Sequence, residues 1–216
     1  MAWRYATSSA AYYRNDKTGK LTPAQMRAIR DELADGVGEE IAALVKRYAS
    51  GSITLAQWAA AFADVVRAST TAGYLLGYGG VNALDDFVAA KIDALIAEQT
   101  TFAEQFIREL AAGDISDAQM AARANLYAGA TVKAYEEAQS RSWGVELPVY
   151  PADYGTECGP NCRCWWLIED DDEYVYAWWN TQDDGDVCNG CAERARIYQP
   201  FKQAKEMPMI QQEAAD

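Results

Sequence analysis

Five cysteines in two close clusters constrain this 216-residue chain more than any other feature of its sequence. The first cluster reads Cys158-Gly-Pro-Asn-Cys162-Arg-Cys164, and the second reads Cys188-Asn-Gly-Cys191. Each cluster can present two sulfurs from one tight turn, and an aromatic hairpin between the clusters would bring the turns together. The spacing therefore predicts a zinc ribbon or knuckle in which four of the five cysteines bind one Zn²⁺ ion.

The five cysteines are not equally good candidates for the four ligands. Cys188 and Cys191 have the two-residue spacing of a zinc turn, and Cys158 with Cys162 is the favoured second pair. Cys164 is the least certain ligand, because it leads into an aromatic run and also fits a small buried core position. Four thiolates leave no open coordination position, so the ion would be structural. It would supply folding energy of order 10 kcal/mol to a module with little core of its own.

Other uses of the cysteines remain open at this point. Disulfides are disfavoured by the odd number of cysteines and by an N-terminus that lacks the apolar run of an export signal. Cys188 and Cys191 could instead form a redox pair, but such pairs belong to α/β folds with a parallel sheet, which the sequence does not indicate. Free thiols are the third alternative.

The chain contains no histidine. This removes the commonest general base and the commonest nitrogen ligand for zinc. A Ser-His-Asp or Cys-His catalytic site cannot be built, and a closed all-cysteine site also disfavours a metal hydrolase. We therefore expect a protein that is not an enzyme.

The net charge of −13 is concentrated in the last third of the chain. Residues 145–216 carry 15 acidic and 5 basic side chains, a net charge of −10, which leaves −3 for residues 1–144. Such a surface repels phosphate backbones, so nucleic-acid binding is disfavoured. No apolar run is long enough to cross a membrane, and we expect the protein to stay in the cytoplasm where it is made.

The first two-thirds of the sequence predict four long helices of about 25 residues each, packed as antiparallel hairpins. The start signals are Thr22-Pro23, the Thr54/Gln57 and Ser116/Gln119 capping boxes, and Leu84 for the third helix. The end signals are Ser50-Gly51, the glycine cluster at 77–80, Gly113 and Trp143-Gly144. The third helix is expected to bury an apolar stripe of Phe87, Ile92, Leu95, Ile96, Phe102, Phe106, Ile107 and Leu110.

The last third predicts a small aromatic hairpin. Residues 164–168 and 174–179 are strand-like, and the acidic link between them, residues 169–173, lacks the spaced oxygens and glycine of a calcium loop. The predicted organisation is an N-terminal arm (1–21), a helical domain (22–144), a cysteine-rich zinc-binding module (145–202) and a flexible tail (203–216). The fold class is mainly α, with long antiparallel helices followed by a small cysteine-rich zinc-binding β-hairpin module.

Several motifs, in order, resemble the minor head proteins of tailed bacteriophages, also called head-morphogenesis proteins. In the helical part these are Ser52-Ile-Thr-Leu-Ala-Gln-Trp58, Gly79-Gly80, Gly113-Asp-Ile-Ser116 and Ala122-Arg-Ala-Asn-Leu-Tyr-Ala128. In the cysteine-rich part they are Tyr150-Pro151, Cys158-Gly-Pro-Asn-Cys-Arg-Cys-Trp165, Trp178-Trp179, Val187-Cys-Asn-Gly-Cys-Ala-Glu-Arg-Ala195 and Pro200-Phe201. The resemblance covers roughly residues 50 to 202. Related Mu F-like head proteins often carry a histidine just before the Asn-Cys-Arg-Cys element, where this chain has Cys158.

The resemblance implies a minor capsid component associated with the portal and acting in head assembly or DNA entry. Its expected partners are portal and capsid proteins, with no membrane and only incidental contact with packaged DNA. Its expected locations are the virion head and, during assembly, the host cytoplasm. The matched motifs imply no catalytic residue. The alternative function is a small zinc-stabilised adaptor that binds a host protein.

Overall fold

The structure is a computed structural model that describes residues 3–6, 11–14, 22–80, 84–181 and 185–205. The helices are α1 (Pro23–Ala49), α2 (Leu55–Tyr78), α3 (Asp86–Ala112), α4 (Asp117–Ser142) and α5 (Asn189–Ile197). The strands are β1 (Trp3–Ala6), β2 (Ala11–Arg14), β3 (Trp165–Asp170), β4 (Tyr174–Asn180) and β5 (Phe201–Ala204). The predicted fold class is confirmed, because four long helices precede a small antiparallel sheet that carries the cysteine cluster.

Three of the four long helices begin at the capping residues that the sequence predicts. Thr22, Thr54 and Ser116 each accept the N–H of a glutamine three residues on, and that glutamine's side chain accepts the N–H of the cap. These capping boxes satisfy backbone donors that a helix start leaves without partners. The third helix begins after Asp85, not at Leu84, because the Asp85 carboxylate caps its first turn.

Glycines end two of the helices. Gly113 adopts the left-handed conformation after α3, with a φ of 76°. Gly79 ends α2 with a φ of 145°, a backbone angle that residues with a side chain rarely adopt. The glycine cluster at 77–80 is therefore a helix end, as the sequence predicts, and not a phosphate-binding loop.

Helix α2 lies at the centre of the bundle and contacts the other three long helices. Its start is next to the end of α1, where the rings of Tyr48 and Trp58 are 6.1 Å apart. It is also next to the end of α3, where Trp58 meets Phe106 edge-on at 5.5 Å. Both neighbours therefore run antiparallel to α2, and the main core lies between these helices and α4.

Helix α4 runs parallel to α2 and touches it closely. Gly73 lies against the Thr131 backbone, and Gly77, one turn later, lies against the Tyr135 backbone. The two glycines let the helix backbones approach each other, because neither position carries a side chain.

The predicted apolar stripe of α3 is wrong at two positions. Phe87 and Phe102 are 52% and 53% exposed. The buried face of α3 instead uses Val88, Ile92, Leu95, Ile96, Gln99, Ala103, Phe106 and Leu110. Since α3 packs chiefly on α2, at one side of the bundle, only a narrow stripe of this helix is covered.

The cysteine-rich part forms a three-stranded antiparallel sheet in the order β3-β4-β5, with α5 between β4 and β5 in the chain. The aromatic hairpin of β3 and β4 is where the sequence predicts it, and Trp166 pairs with Trp179. Helix α5 and strand β5 have no counterpart in the sequence prediction. Strand β5 continues to Ala204, beyond the predicted module boundary at residue 202. Residues 206–216, the rest of the predicted tail, lie outside the described residues.

The predicted N-terminal arm contains an antiparallel hairpin of β1 and β2, in which Tyr5 pairs with Tyr12. Its remaining residues lie outside the described part of the chain. Among the described helices, none is both long and apolar enough to cross a membrane.

Candidate metal centre

Two chain segments bring the five cysteines together. The first is a short 3₁₀ turn at 159–161, with Cys158 before it and Cys162 directly after it. Cys164 follows immediately before β3. In the second segment Cys188 caps α5, and Cys191 lies in the first turn of that helix. The five candidate cysteines, of which the sequence predicts four as ligands, therefore lie in one cluster.

Cys191 is at the centre of the cluster. Its sulfur lies 3.5 Å from the sulfur of Cys158 and 3.7 Å from that of Cys162. Two sets of three sulfurs lie within 4.8 Å of one another, and both contain Cys191: one adds Cys158 and Cys188, the other adds Cys162 and Cys164. The five cysteines are free thiols in this arrangement. They could hold a metal ion.

The sulfur–sulfur distances fit metal ligation better than disulfides. A disulfide joins its two sulfurs at about 2.05 Å. Ligands about 2.3 Å from a tetrahedral zinc ion lie about 3.8 Å from each other. The contacts of Cys191 with Cys158 and Cys162 are close to that second value.

The local sequence around the second cysteine pair supports the turn. The Cys188 sulfur accepts the backbone N–H of Cys191 at 3.4 Å, as a helix cap does. Gly190 donates its N–H to the carboxylate of Glu157 at 2.9 Å and so ties the two segments together. A Cβ on Gly190 would lie 2.7 Å from that carboxylate and 3.0 Å from a methyl carbon of Thr156. A side chain at Gly190 would displace the Glu157 carboxylate, so the glycine favours this close approach.

The surroundings lower the pKa of two of the five thiols and raise the pKa of the other three. A hydrogen bond from Cys164 lowers the pKa of Cys162 to about 5, although burial opposes this. Burial also disfavours the Cys188 thiolate, but hydrogen bonds from the backbone N–H groups of Cys191 and Cys158 outweigh it and lower the pKa. Burial raises the pKa of Cys158 to about 11 and raises the pKa of Cys191. The hydrogen bond with Cys162 raises the pKa of Cys164. The surroundings therefore favour the thiolate form at Cys162 and Cys188 and the thiol form at the other three cysteines.

The sulfurs of the cluster differ in exposure, and Cys162 also borders a cavity of about 400 Å³. Cys162, Cys164 and Cys191 are buried, and Cys158 and Cys188 are partly exposed. A cavity of about 70 Å³ borders the cluster. This space suits an ion and a water molecule or two, since one water occupies about 30 Å³.

A buried charge pair attaches the sheet next to the cluster to the helical bundle. Glu136 on α4 is fully buried, and its carboxylate pairs with Arg30 on α1 and accepts the backbone N–H of Trp166 at 3.2 Å. Burial raises the pKa of the Glu136 carboxyl, while the Arg30 guanidinium and the Trp166 N–H favour its charged form. The sequence carries no local signal for this pair, because the burial of Glu136 depends on how α4 packs against α1 and the sheet.

Further hydrogen bonds hold the segment between α4 and the first cysteine cluster. Tyr154 donates its hydroxyl to the Leu126 carbonyl at 2.7 Å. The Trp166 indole donates to the Val149 carbonyl at 3.0 Å. The cysteine-rich part is therefore packed on the bundle as well as joined to it by the chain.

Comparison with known proteins identifies no relative. The chain matches no family model, no curated protein and no solved structure.

Proposed function

We propose that the cysteine cluster binds one structural Zn²⁺ ion and that this chain is a structural protein, not an enzyme. The convergence of two cysteine turns on Cys191 is the observation that carries the proposal. Soft thiolates select zinc, copper(I) or iron–sulfur clusters, and tetrahedral sites with four sulfurs are typical of structural zinc. Four thiolates would leave the ion with no position for a substrate or a reactive water.

The proposed ligands are Cys158, Cys162, Cys188 and Cys191. Cys191 contacts the sulfurs of both Cys158 and Cys162, and Cys188 belongs to the same set of three as Cys158. Cys164 is also within the cluster and competes with these residues for the fourth place. In this proposal it remains a buried thiol beside the site.

Elemental analysis of the protein purified under reducing conditions tests the metal. We expect one zinc per chain in the wild type, a loss of zinc in Cys188→Ser, and retention of zinc in Cys164→Ser. A wild-type protein without stoichiometric zinc contradicts the proposal. If Cys164→Ser loses zinc and Cys158→Ser keeps it, the zinc site is supported, but Cys164 is a ligand instead of Cys158.

The biological role that we propose is that of a minor head protein of a tailed bacteriophage, with portal and capsid proteins as partners. The support is the order of the helical and cysteine motifs along residues 50 to 202 and their resemblance to that family. A helical body with a rigid attached module suits a protein that packs between other subunits. The virion head is its proposed location.

Mass spectrometry of purified phage particles and of assembling heads tests this role. The proposal expects the chain in portal-containing heads. Its absence from both preparations contradicts the role without affecting the metal site.

An adaptor for a host protein is the second candidate, because the sheet has a partly exposed aromatic face that could bind a partner. The two roles predict different binding partners during infection. An adaptor would co-purify with a host protein and be absent from heads, whereas a minor head protein would be found with the portal.

A further inference from the structure

The outer face of the three-stranded sheet carries a row of aromatic side chains. On β4, Val175, Ala177 and Trp179 point into the core, and the alternate residues Tyr174, Tyr176 and Trp178 lie on the other face. The ring centres of Tyr174 and Tyr176 are 6.4 Å apart, and those of Tyr176 and Trp178 are 6.2 Å apart. Tyr174, Tyr176 and Trp178 together form the aromatic row.

Neighbouring strands extend this face on both sides. On β3, Leu167 lies opposite Trp178 and Glu169 lies opposite Tyr176, and on β5 Lys202 lies opposite Tyr176. Leu167, Glu169 and Lys202 are exposed, and the aromatic row is partly exposed. No described helix covers the row, so it is an open surface within the part of the chain that the structure describes.

A hydrogen bond positions the Tyr176 ring, in the middle of the row, before any partner arrives. The Tyr176 hydroxyl donates to the Asp171 carboxylate at 2.9 Å. That same side chain accepts the backbone N–H groups of Glu173 and Tyr174 in the hairpin turn. Ordered rings bind with a smaller loss of side-chain entropy than mobile ones.

Cations already lie on this face. The Lys202 ammonium lies 3.6 Å from the centre of the Tyr174 ring and 5.2 Å from that of Tyr176. At the other end of the sheet, the Arg27 guanidinium lies 4.4 Å from the ring centre of Trp165. Trp178 lies between these two positions, and no described Lys or Arg lies over it. Tryptophan is the best of the aromatic rings for binding a cation.

Acidic side chains surround the row. Glu169, Asp172 and Glu173 are exposed and make no ion pair with a described Lys or Arg. Asp170 differs, since it pairs with Lys205. The whole C-terminal part is acidic, with 15 acidic and 5 basic side chains in residues 145–216. Such a surface attracts a cationic partner and repels both nucleic acid and a second copy of itself.

We propose that this face binds an arginine-rich segment of a partner protein, with Trp178 as the central contact. Guanidinium groups stack on aromatic faces and also pair with two oxygens of a carboxylate, so one arginine can use both Trp178 and Glu169. Lysine provides only a point charge. The proposal depends on neither the identity of the metal nor the phage role.

Calorimetric titration of the full-length, metal-loaded protein with an octa-arginine peptide at low salt tests the proposal. Trp178→Leu should weaken binding about fivefold, as expected for the loss of a good cation–π contact. Its matched control is Phe102→Leu on α3, which removes another exposed aromatic ring and should leave binding unchanged. Glu169→Gln should weaken binding more than Asp93→Asn on α3, which changes the net charge equally.

Fluorescence of Trp178, read as the difference between wild type and Trp178→Leu, should change on titration, and circular dichroism checks that each variant is folded. Equal weakening by Trp178→Leu and Phe102→Leu overturns the proposal, because the peptide would then bind through net charge alone. Tighter binding of a polyproline peptide overturns it in favour of a proline-rich partner. Dimers in sedimentation equilibrium that Trp178→Leu dissociates overturn it in favour of a second copy.

Discussion

At the scale of single residues, the buried pair of Arg30 and Glu136 lies where the helical bundle meets the sheet. Arg30 is 1% exposed and Glu136 is 1% exposed, and each belongs to a different helix. Taking two charges out of water is costly, so such a pair stabilises a fold only when both members keep their partners. Here Glu136 has Arg30 and Trp166, and Arg30 has Glu136 and Asp31.

Replacing Arg30 should therefore destabilise the protein in a pH-dependent way. In Arg30→Met, Glu136 loses its cation, and burial raises its folded-state pKa further above the unfolded value near 4.3. A raised carboxyl pKa contributes stability below the unfolded pKa, and that contribution is lost as pH rises to the folded pKa. We expect a loss of about 3 kcal/mol at pH 8 and a smaller loss at pH 6, measured by urea unfolding against wild type at each pH.

The control for this prediction is Arg108→Met. Arg108 pairs with Glu104 on the surface, and both side chains are more than 60% exposed. Exposed pairs contribute less than about 1 kcal/mol, so this variant should change stability little at either pH. The same loss at pH 6 and pH 8 in Arg30→Met would show that Glu136 does not carry the effect.

Sequence patterns located the cysteines but not this ion pair. Five thiols in two close clusters have few structural uses, so their grouping could be predicted from the chain alone. An acidic residue in a helix is exposed in most proteins. Only the packing of α4 between α1 and the sheet shows that Glu136 is enclosed, and that packing is not local information.

At the scale of elements, helix starts were the most predictable features. The Thr54 and Ser116 boxes depend on residues three positions apart, so their signal lies within one turn. Helix α5 was missed because it has only 9 residues and contains Gly190 in its first turn. Cys188 as its cap and Arg194 and Arg196 in its last turn are signals that could have revealed it. The exposure of Phe87 and Phe102 depends on which helices surround α3, which the periodicity does not specify.

Two glycines in helices should respond to alanine in opposite ways. A Cβ on Gly73 would lie 2.6 Å from the Thr131 carbonyl oxygen, so Gly73→Ala should force α2 and α4 apart and cost about 1–3 kcal/mol. A Cβ on Gly36 in α1 would meet nothing within 4 Å. Gly36→Ala should stabilise the protein by about 0.5–1 kcal/mol, because it restricts the unfolded chain.

Thermal and urea unfolding of the two alanine variants measure how the same added methyl group changes stability. Gly73 lies against a neighbouring helix, whereas Gly36 faces open space. Destabilisation by both variants would mean that helix α1 is packed at Gly36. A neutral Gly73→Ala would mean that α2 and α4 are further apart than their contact at Thr131 indicates.

At the scale of the whole molecule, the largest core of the bundle and the core of the cysteine-rich part are of different kinds. The largest bundle core contains Trp58, Phe62 and Phe106 in ring contact. The core of the cysteine-rich part is smaller and includes three of the cysteines beside Trp166 and Trp179. Isolated cores of that size are commonly stabilised by a metal ion or another cross-link. The sequence indicated this division through the change in composition after Gly144, but not how the smaller part packs on α4.

Metal removal should therefore loosen the cysteine-rich part and leave the bundle folded. After treatment with a chelator under reducing conditions, we expect backbone amides of β3, β4 and α5 to lose hydrogen-exchange protection, because the metal no longer joins their ends. Amides in the middle of α2 should stay protected, since Phe62 and Val66 are buried in a core that contains no cysteine. Around Glu136 we expect a partial loss, because the Trp166 N–H that it accepts belongs to the loosened sheet. Hydrogen-exchange mass spectrometry measures all three regions at once, and re-addition of Zn²⁺ is the control that should restore the sheet. Equal loss of protection in α2 and β4 would show instead that the chain unfolds as one unit, and unchanged protection in β4 would show that the metal does not support the sheet.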